Sequence, residues 1–146
     1  MDFSFVCSDL SELSAYASQV DTPIYKLMKK AFPGPFTFIL RASKQVPKIF
    51  ETKKKTIGIR VPDNAIVQAI VKKLGNPILS TSLHDENDIV GYMTDPEEIE
   101  IKFRKLVDIV VDGGAGGHIP STVIDCSSNE PILIRQGLGH LEEFEN

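Results

Sequence analysis

The tripeptide Pro33-Gly34-Pro35 limits the folds open to this chain more than any other segment. Before it, Ile24, Leu27, Met28 and Ala31 recur at helical spacing, with Pro23 suited to a first helical turn. After it, Phe36–Arg41 is β-rich. Neither proline can continue a helix, and the glycine permits a sharp turn, so the chain must pass from helix to strand there. The same alternation recurs on both sides. Phe3–Cys7 reads as a strand, and Ser8 as the N-cap of a helix to about Ser18, with Leu10, Leu13 and Ala17 on one face. Lys44–Phe50 reads as short and helical, and Thr56–Val61 as a strand ended by Pro62. Asp63 or Asn64 caps a helix carrying Ile66, Val67, Ile70, Val71 and Leu74 up to Gly75.

Ile78–Ser82 is a further predicted strand, and the polar stretch His84–Tyr92 a loop. Asp95 caps a helix with Pro96 at its first position, acids in its first turn and Lys102, Arg104 and Lys105 near its end. The apolar run Val107–Val111 is typical of a strand covered on both faces. Ser121–Cys126 and Pro131–Arg135 read as strands joined by a turn, with a short helix after Gly139. Helices and strands interleave, but the last strands are hairpin-linked. The expected fold class is therefore mixed α/β: a twisted, open, mixed sheet flanked by helices, in one domain over residues 1–146.

At 42% hydrophobic and 25% charged residues, the composition is that of a soluble globular protein. No apolar run approaches the roughly 20 residues of a membrane span. The first residues carry no basic segment followed by a long apolar one, so a signal peptide is not expected. Cys7 and Cys126 lie far apart in strand-like contexts and read as reduced core residues. Together these features point to the cytoplasm. The histidines His84, His118 and His140 are isolated, and no protein-held metal is expected.

The net charge of −4 is unevenly distributed. Ten of the 16 Lys and Arg fall between Lys26 and Arg60 against the single acid Glu51, so that segment is +9 and the remainder −13. Such a field can face an anionic ligand or be a solvated helix face with a lysine loop at Lys53–Lys55.

Ligands of open α/β sheets gather where strands end. Thr56 and Arg60 lie four apart and so on one side of their strand. Arg60, between Ile59 and Val61, needs either an acid or an anionic ligand. Ser80, Thr81 and Ser82 offer hydroxyls that can hold phosphate oxygens or cap the next turn. No acid–histidine spacing makes either serine a nucleophile. The glycine-rich Asp112–Gly117 stretch lacks the Gly-Lys-Ser/Thr ending of a P-loop. Ser121 and Thr122 open one strand, and Arg135 closes the next beside Gly137. Arginine suits bidentate contacts to phosphate or carboxylate.

Taken in order, six stretches resemble the YrdC/YciO family of threonylcarbamoyl-AMP synthase-like domains: Phe32–Leu40, Thr56–Pro62, Ile78–Ser82, Asp112–Gly114, Pro120–Asp125 and Ile132–Gly137. The opening from Ser4 to Ser11 and the strand end at Ser80–Leu83 resemble the YciO branch. The resemblance implies a YrdC-like sheet and the condensation of threonine, bicarbonate and ATP, with Mg, into threonylcarbamoyl-AMP and pyrophosphate for tRNA modification. It implies that Thr56, Ser82 and Arg135 contact the nucleotide, and that Arg60, Ser80 and Ser121 lie by the threonine or the acyl-phosphate linkage.

The sequence departs from the family pattern in two places. Family members begin several tens of residues earlier, with a Pro-Thr-Asp-Thr-type strand and a basic Lys-x-Arg segment, so Met1 is expected to enter the fold partway. Synthases continue the serine strand as Ser-Ala-Asn, where this chain has Leu83-His84-Asp85-Glu86. A truncated domain of this kind is expected to expose apolar surface and self-associate. The alternative function is an RNA-binding module for tRNA or double-stranded RNA, carried by the basic stretch.

Overall fold

A computed structural model describes residues 3–83 and 92–144. Its strands are β1 (Ser4–Val6), β2 (Phe36–Arg41), β3 (Thr56–Arg60), β4 (Ile78–Ser80), β5 (Thr122–Asp125) and β6 (Ile132–Arg135). Its α-helices are α1 (Leu13–Tyr16), α2 (Thr22–Ala31), α3 (Ala65–Leu74) and α4 (Pro96–Phe103), with single 3-10 turns at Lys48–Phe50 and Leu141–Phe144. The strands form one mixed six-stranded sheet in the order β4-β1-β3-β2-β5-β6. The pairs β1–β3 and β2–β5 are parallel, and β1–β4, β2–β3 and β5–β6 are antiparallel. The expected open mixed sheet with flanking helices is the one observed.

The chain divides into two compact units, residues 1–81 with 121–146, and residues 82–120. In the first, the period-2 alternation of β2 and β3 separates two faces. Phe36, Phe38, Leu40, Ile57 and Ile59 are buried together with Ile24, Met28 and Ala31 of α2 and with Ile124 of β5. Phe38 is the centre of this core, with Phe32 set edge-on at 5.2 Å and Phe36 at 6.1 Å. Fully burying each such side chain contributes about 1.5–3 kcal/mol. The opposite face carries Ser4, Thr56, Gly58, Arg60 and Thr37. The Pro33-Gly34-Pro35 turn joins α2 to β2 as the sequence requires, and Gly34 N–H donates to Val61 O at 3.0 Å, tying the turn to the end of β3.

In the second unit, α4 is capped by Asp95, whose carboxylate accepts from Glu97 N–H at 2.9 Å. Gly114 N–H donates to Asp112 Oδ1 at 2.9 Å, so the glycine-rich stretch begins as a locally held turn.

Three expectations need correction. The helix expected from Ser8 to Ser18 is reduced to Leu13–Tyr16. Asp9 accepts from both the N–H and the hydroxyl of Ser11 (2.9 and 2.6 Å), and that local turn competes with helical hydrogen bonding. Lys44–Phe50 is helical only as the 3-10 turn Lys48–Phe50, because Ser43 Oγ takes Gln45 N–H and Pro47 has none to give. Val107–Val111 is not a strand among the described residues: Val107, Ile109 and Val111 are 44%, 77% and 57% exposed. An apolar run becomes a strand only beside a partner, and none pairs with it. The loop expected at His84–Tyr92 lies outside the described residues up to position 91.

Candidate functional site

The polar face of the first unit brings two of the candidate residues, Arg60 and Arg135, onto one row. Val6 of β1 pairs with Arg60 of β3. One residue on from the Phe38–Ile59 pair, Thr37 of β2 follows next to Arg60. Thr37 then pairs with Val123 of β5, and Val123 with Arg135 of β6. Strands lie about 5 Å apart, so the row brings two long guanidinium side chains toward each other over Thr37 and Val123. Chain positions far apart in sequence thus meet through sheet order alone.

Arg60 Nε is buried and has no hydrogen-bond partner. No carboxylate among the described residues pairs with Arg60. Burial, and second the charge of Arg135, lower its pKa from the ordinary guanidinium value. A guanidinium in this setting remains charged, so the two arginines together form a positive focus that an anion relieves. Among the described residues, no sheet-edge carboxylate neutralises Arg60.

Arg135 is oriented on the far side of the row. Its Nε and Nη2 donate to Ser121 O at 3.1 and 2.8 Å, and Nη2 to Ser121 Oγ at 3.3 Å. Ser121 Oγ in turn lies 2.8 Å from Thr37 Oγ1. Arg135, Ser121 and Thr37 therefore form one chain of hydrogen bonds leading back to the position beside Arg60. Thr37 belongs to this set although the sequence reading passed over it; its signal was a lone polar residue inside the apolar run Phe36–Leu40.

Gly58 makes this approach possible. A Cβ there would stand 2.7 Å from Ser4 Oγ and 3.2 Å from Thr37 Cγ2, so only glycine lets these side chains lean together across β3. Ser80 sits on the neighbouring row, paired with Ser4, and its hydroxyl donates to Ser4 O at 3.2 Å. The floor beside the arginines is thus lined with small hydroxyl side chains.

Two predicted residues stand elsewhere. Thr56 shares the face of Arg60, as its spacing requires, but four residues of strand put it about 13 Å away. It is buried, with its hydroxyl 2.7 Å from Thr52 Oγ1 in the turn that opens β3. Ser82 falls two residues past the end of β4, in the second unit.

Known proteins share the sequence pattern and the fold that carry this face. The Sua5, YciO and YrdC family pattern, described as telomere recombination, matches residues 1–137. The uncharacterized protein YciO of Escherichia coli is 45% identical over 144 residues, covering 98% of this chain and 69% of its own. A threonylcarbamoyl-AMP synthase of Pyrococcus abyssi is 27% identical over 139 residues, 94% of this chain and 40% of its own. Among solved structures, E. coli YciO superposes with a TM-score of 0.89 at 44% identity, covering 98% of this chain and 69% of that one. Pyrococcus abyssi Sua5 complexed with L-threonine superposes with a TM-score of 0.84 at 27% identity, covering 99% of this chain and 42% of that one. The chain that builds this two-arginine face belongs to the Sua5/YciO/YrdC family.

Proposed function

We propose that this chain carries the ligand face of a threonylcarbamoyl-AMP synthase-like domain, binding the phosphate or acyl-phosphate of an adenylate between Arg60 and Arg135. One observation carries the reading: Arg60 Nε is buried without a partner, with a second arginine rather than an acid as its charged neighbour. Adenylate formation transfers the adenylyl group of ATP, through its α-phosphorus, to a carboxylate-type oxygen and releases pyrophosphate. Such a step needs neutralised phosphate charge and fixed geometry more than a protein nucleophile. Arg60 and Arg135 supply the charge, and Ser121, Thr37 and Ser80 the hydroxyls that orient oxygens. Relatedness to a protein whose structure holds L-threonine supports threonine as a co-substrate; bicarbonate as the carbon source rests on the family resemblance. That resemblance alone supports ATP as a substrate, entering with its own magnesium. Family resemblance alone supports nucleotide contacts from Thr56 and Ser82, and a role in tRNA modification.

Isothermal titration of the chain with AMP and ATP, with and without threonine, tests this. Saturable binding that is lost in Arg60→Met supports it; no binding of either nucleotide overturns it.

A second reading is RNA binding. Lys26, Lys44, Lys48, Lys53, Lys54 and Lys55 are all exposed, so this basic surface is open to a phosphate backbone. Fluorescence anisotropy with tRNA or double-stranded RNA should then fall steeply with salt and weaken in Lys53→Gln/Lys54→Gln/Lys55→Gln. Absence of binding at low salt rules it out.

A further inference from the structure

Among the described residues, Thr122 is the one polar side chain with 0% exposure, and it lies next to the two-arginine face. It stands between the site's two halves: Ser121 precedes it in the chain, and the Arg135 end of β6 lies across from it. Its hydroxyl serves two bonds at once. Thr122 Oγ1 donates to Gly139 O at 2.7 Å and accepts from Gly137 N–H at 3.0 Å. No other side chain of the same shape does both; valine does neither. Gln136 reinforces the same turn from outside, its Nε2 donating to Gly139 O at 2.7 Å and to Gly137 O at 3.0 Å.

The turn has little freedom to settle elsewhere. A Cβ at Gly139 would fall 2.5 to 2.8 Å from three atoms of the Phe36 ring, so the backbone lies directly on the core. Phe36 in turn pairs in register with Thr122, whose N–H donates to Pro35 O at 2.9 Å. The end of β6 is therefore fastened to the head of β5 through one hydroxyl. The β5–β6 ladder is irregular at Val123/Ile124, so regular pairing does not fix this end of the ladder.

We infer that Thr122 is a positioning residue for the anion site: its hydroxyl pins the 136–139 turn and so fixes the arm of Arg135 over Ser121. The inference rests on the reading of the Arg60–Arg135 face as an adenylate site. It explains why a buried threonine stands where valine would pack as well. A side chain that acts only through Arg135 must lose its effect when Arg135 is gone.

The test is a double-mutant cycle on AMP affinity, measured well below the melting temperature, with circular dichroism confirming a folded chain. Thr122→Val should weaken AMP by about tenfold, and Thr122→Ser should bind within about twofold of the parent. In an Arg135→Gln background, Thr122→Val should add no further loss. An equal loss in both backgrounds means general loosening and overturns the inference. The unliganded protein gives an independent readout: the Arg135 Nε–H resonance in ¹⁵N-edited NMR should shift or broaden in Thr122→Val and recover in Thr122→Ser. An unmoved resonance also overturns it, whereas a parent chain that binds no AMP but shows the shift defeats only the adenylate reading. If Thr122→Val does not fold, Gln136→Ala, at the exposed side of the clamp, should move the same resonance in the same direction, and no movement decides against the proposal.

Discussion

Replacing Arg60 by Met should make the unliganded protein more stable while abolishing its anion binding. The buried Nε has no partner, and a buried unsatisfied donor costs about 1–3 kcal/mol. The nearby Arg135 adds repulsion. Methionine keeps most of the apolar stem and removes both penalties. Allowing for partial exposure of the side chain, a net gain of about 1–2 kcal/mol follows, which for a domain of this size raises the melting temperature by roughly 3–8 °C. The parent should recover that deficit only with ligand: at 100 times Kd, AMP stabilises by about 2.7 kcal/mol, and the variant by nothing. Urea unfolding followed by circular dichroism, with and without AMP, reads both quantities on one pair of proteins. If Arg60→Met is less stable than the parent without ligand, Arg60 is a structural residue and the reasoning fails.

Gly139→Ala should destabilise by about 1–3 kcal/mol, because its Cβ meets the Phe36 ring and that ring is packed against Phe38; the urea midpoint measures it. Asn64→Ala should cost about 1 kcal/mol, since the Asn64 side chain accepts from both Ile66 and Val67 N–H at 3.0 Å. An unchanged midpoint would deny that cap any role. Burial, then Asp9 and Glu12, push the Cys7 thiol up to about 11, and burial, then Asp125, push Cys126 up to about 12. Because the folded values lie above the unfolded ones, stability from these thiols is complete below the ordinary thiol range and is lost as pH climbs from about 8.5 toward 11–12. Urea midpoints taken between pH 8 and 11 should fall less steeply in Cys7→Ala/Cys126→Ala than in the parent.

Local chemistry was legible where one residue decides one backbone event. Asn64, Asp95 and the Pro33-Gly34-Pro35 turn each act within a few residues, and each was found where the sequence puts it. The α1 region failed for a reason of the same kind. Apolar spacing over Leu10, Leu13 and Ala17 is helical, but Asp9 and Ser11 bind each other first, and Ser18 N–H leaves to join Arg41 O at 2.9 Å. Val107–Val111 failed differently. A buried strand and an uncovered apolar segment have the same composition, and only the partner distinguishes them.

The candidate site shows where reading by segments stops. Arg60 and Arg135 each announced a guanidinium at a strand end, and each alone was compatible with an ordinary ion pair. Their meaning depends on β3, β2, β5 and β6 being consecutive in the sheet, an order no local pattern encodes. The same register converts Thr37 from a stray polar residue into the link between Ser121 and the Arg60 position. It also separates Ser121 from Thr122, adjacent in sequence and opposite in facing: one hydroxyl serves the open face, the other is spent inside. A site of this type arises because a sheet turns alternate residues to alternate sides. Once the core claims one side, every polar residue left on the other is close to its counterparts from distant strands. Among the described residues Arg60 found no acid there, and that single mismatch is what sets this face apart from an ordinary polar surface.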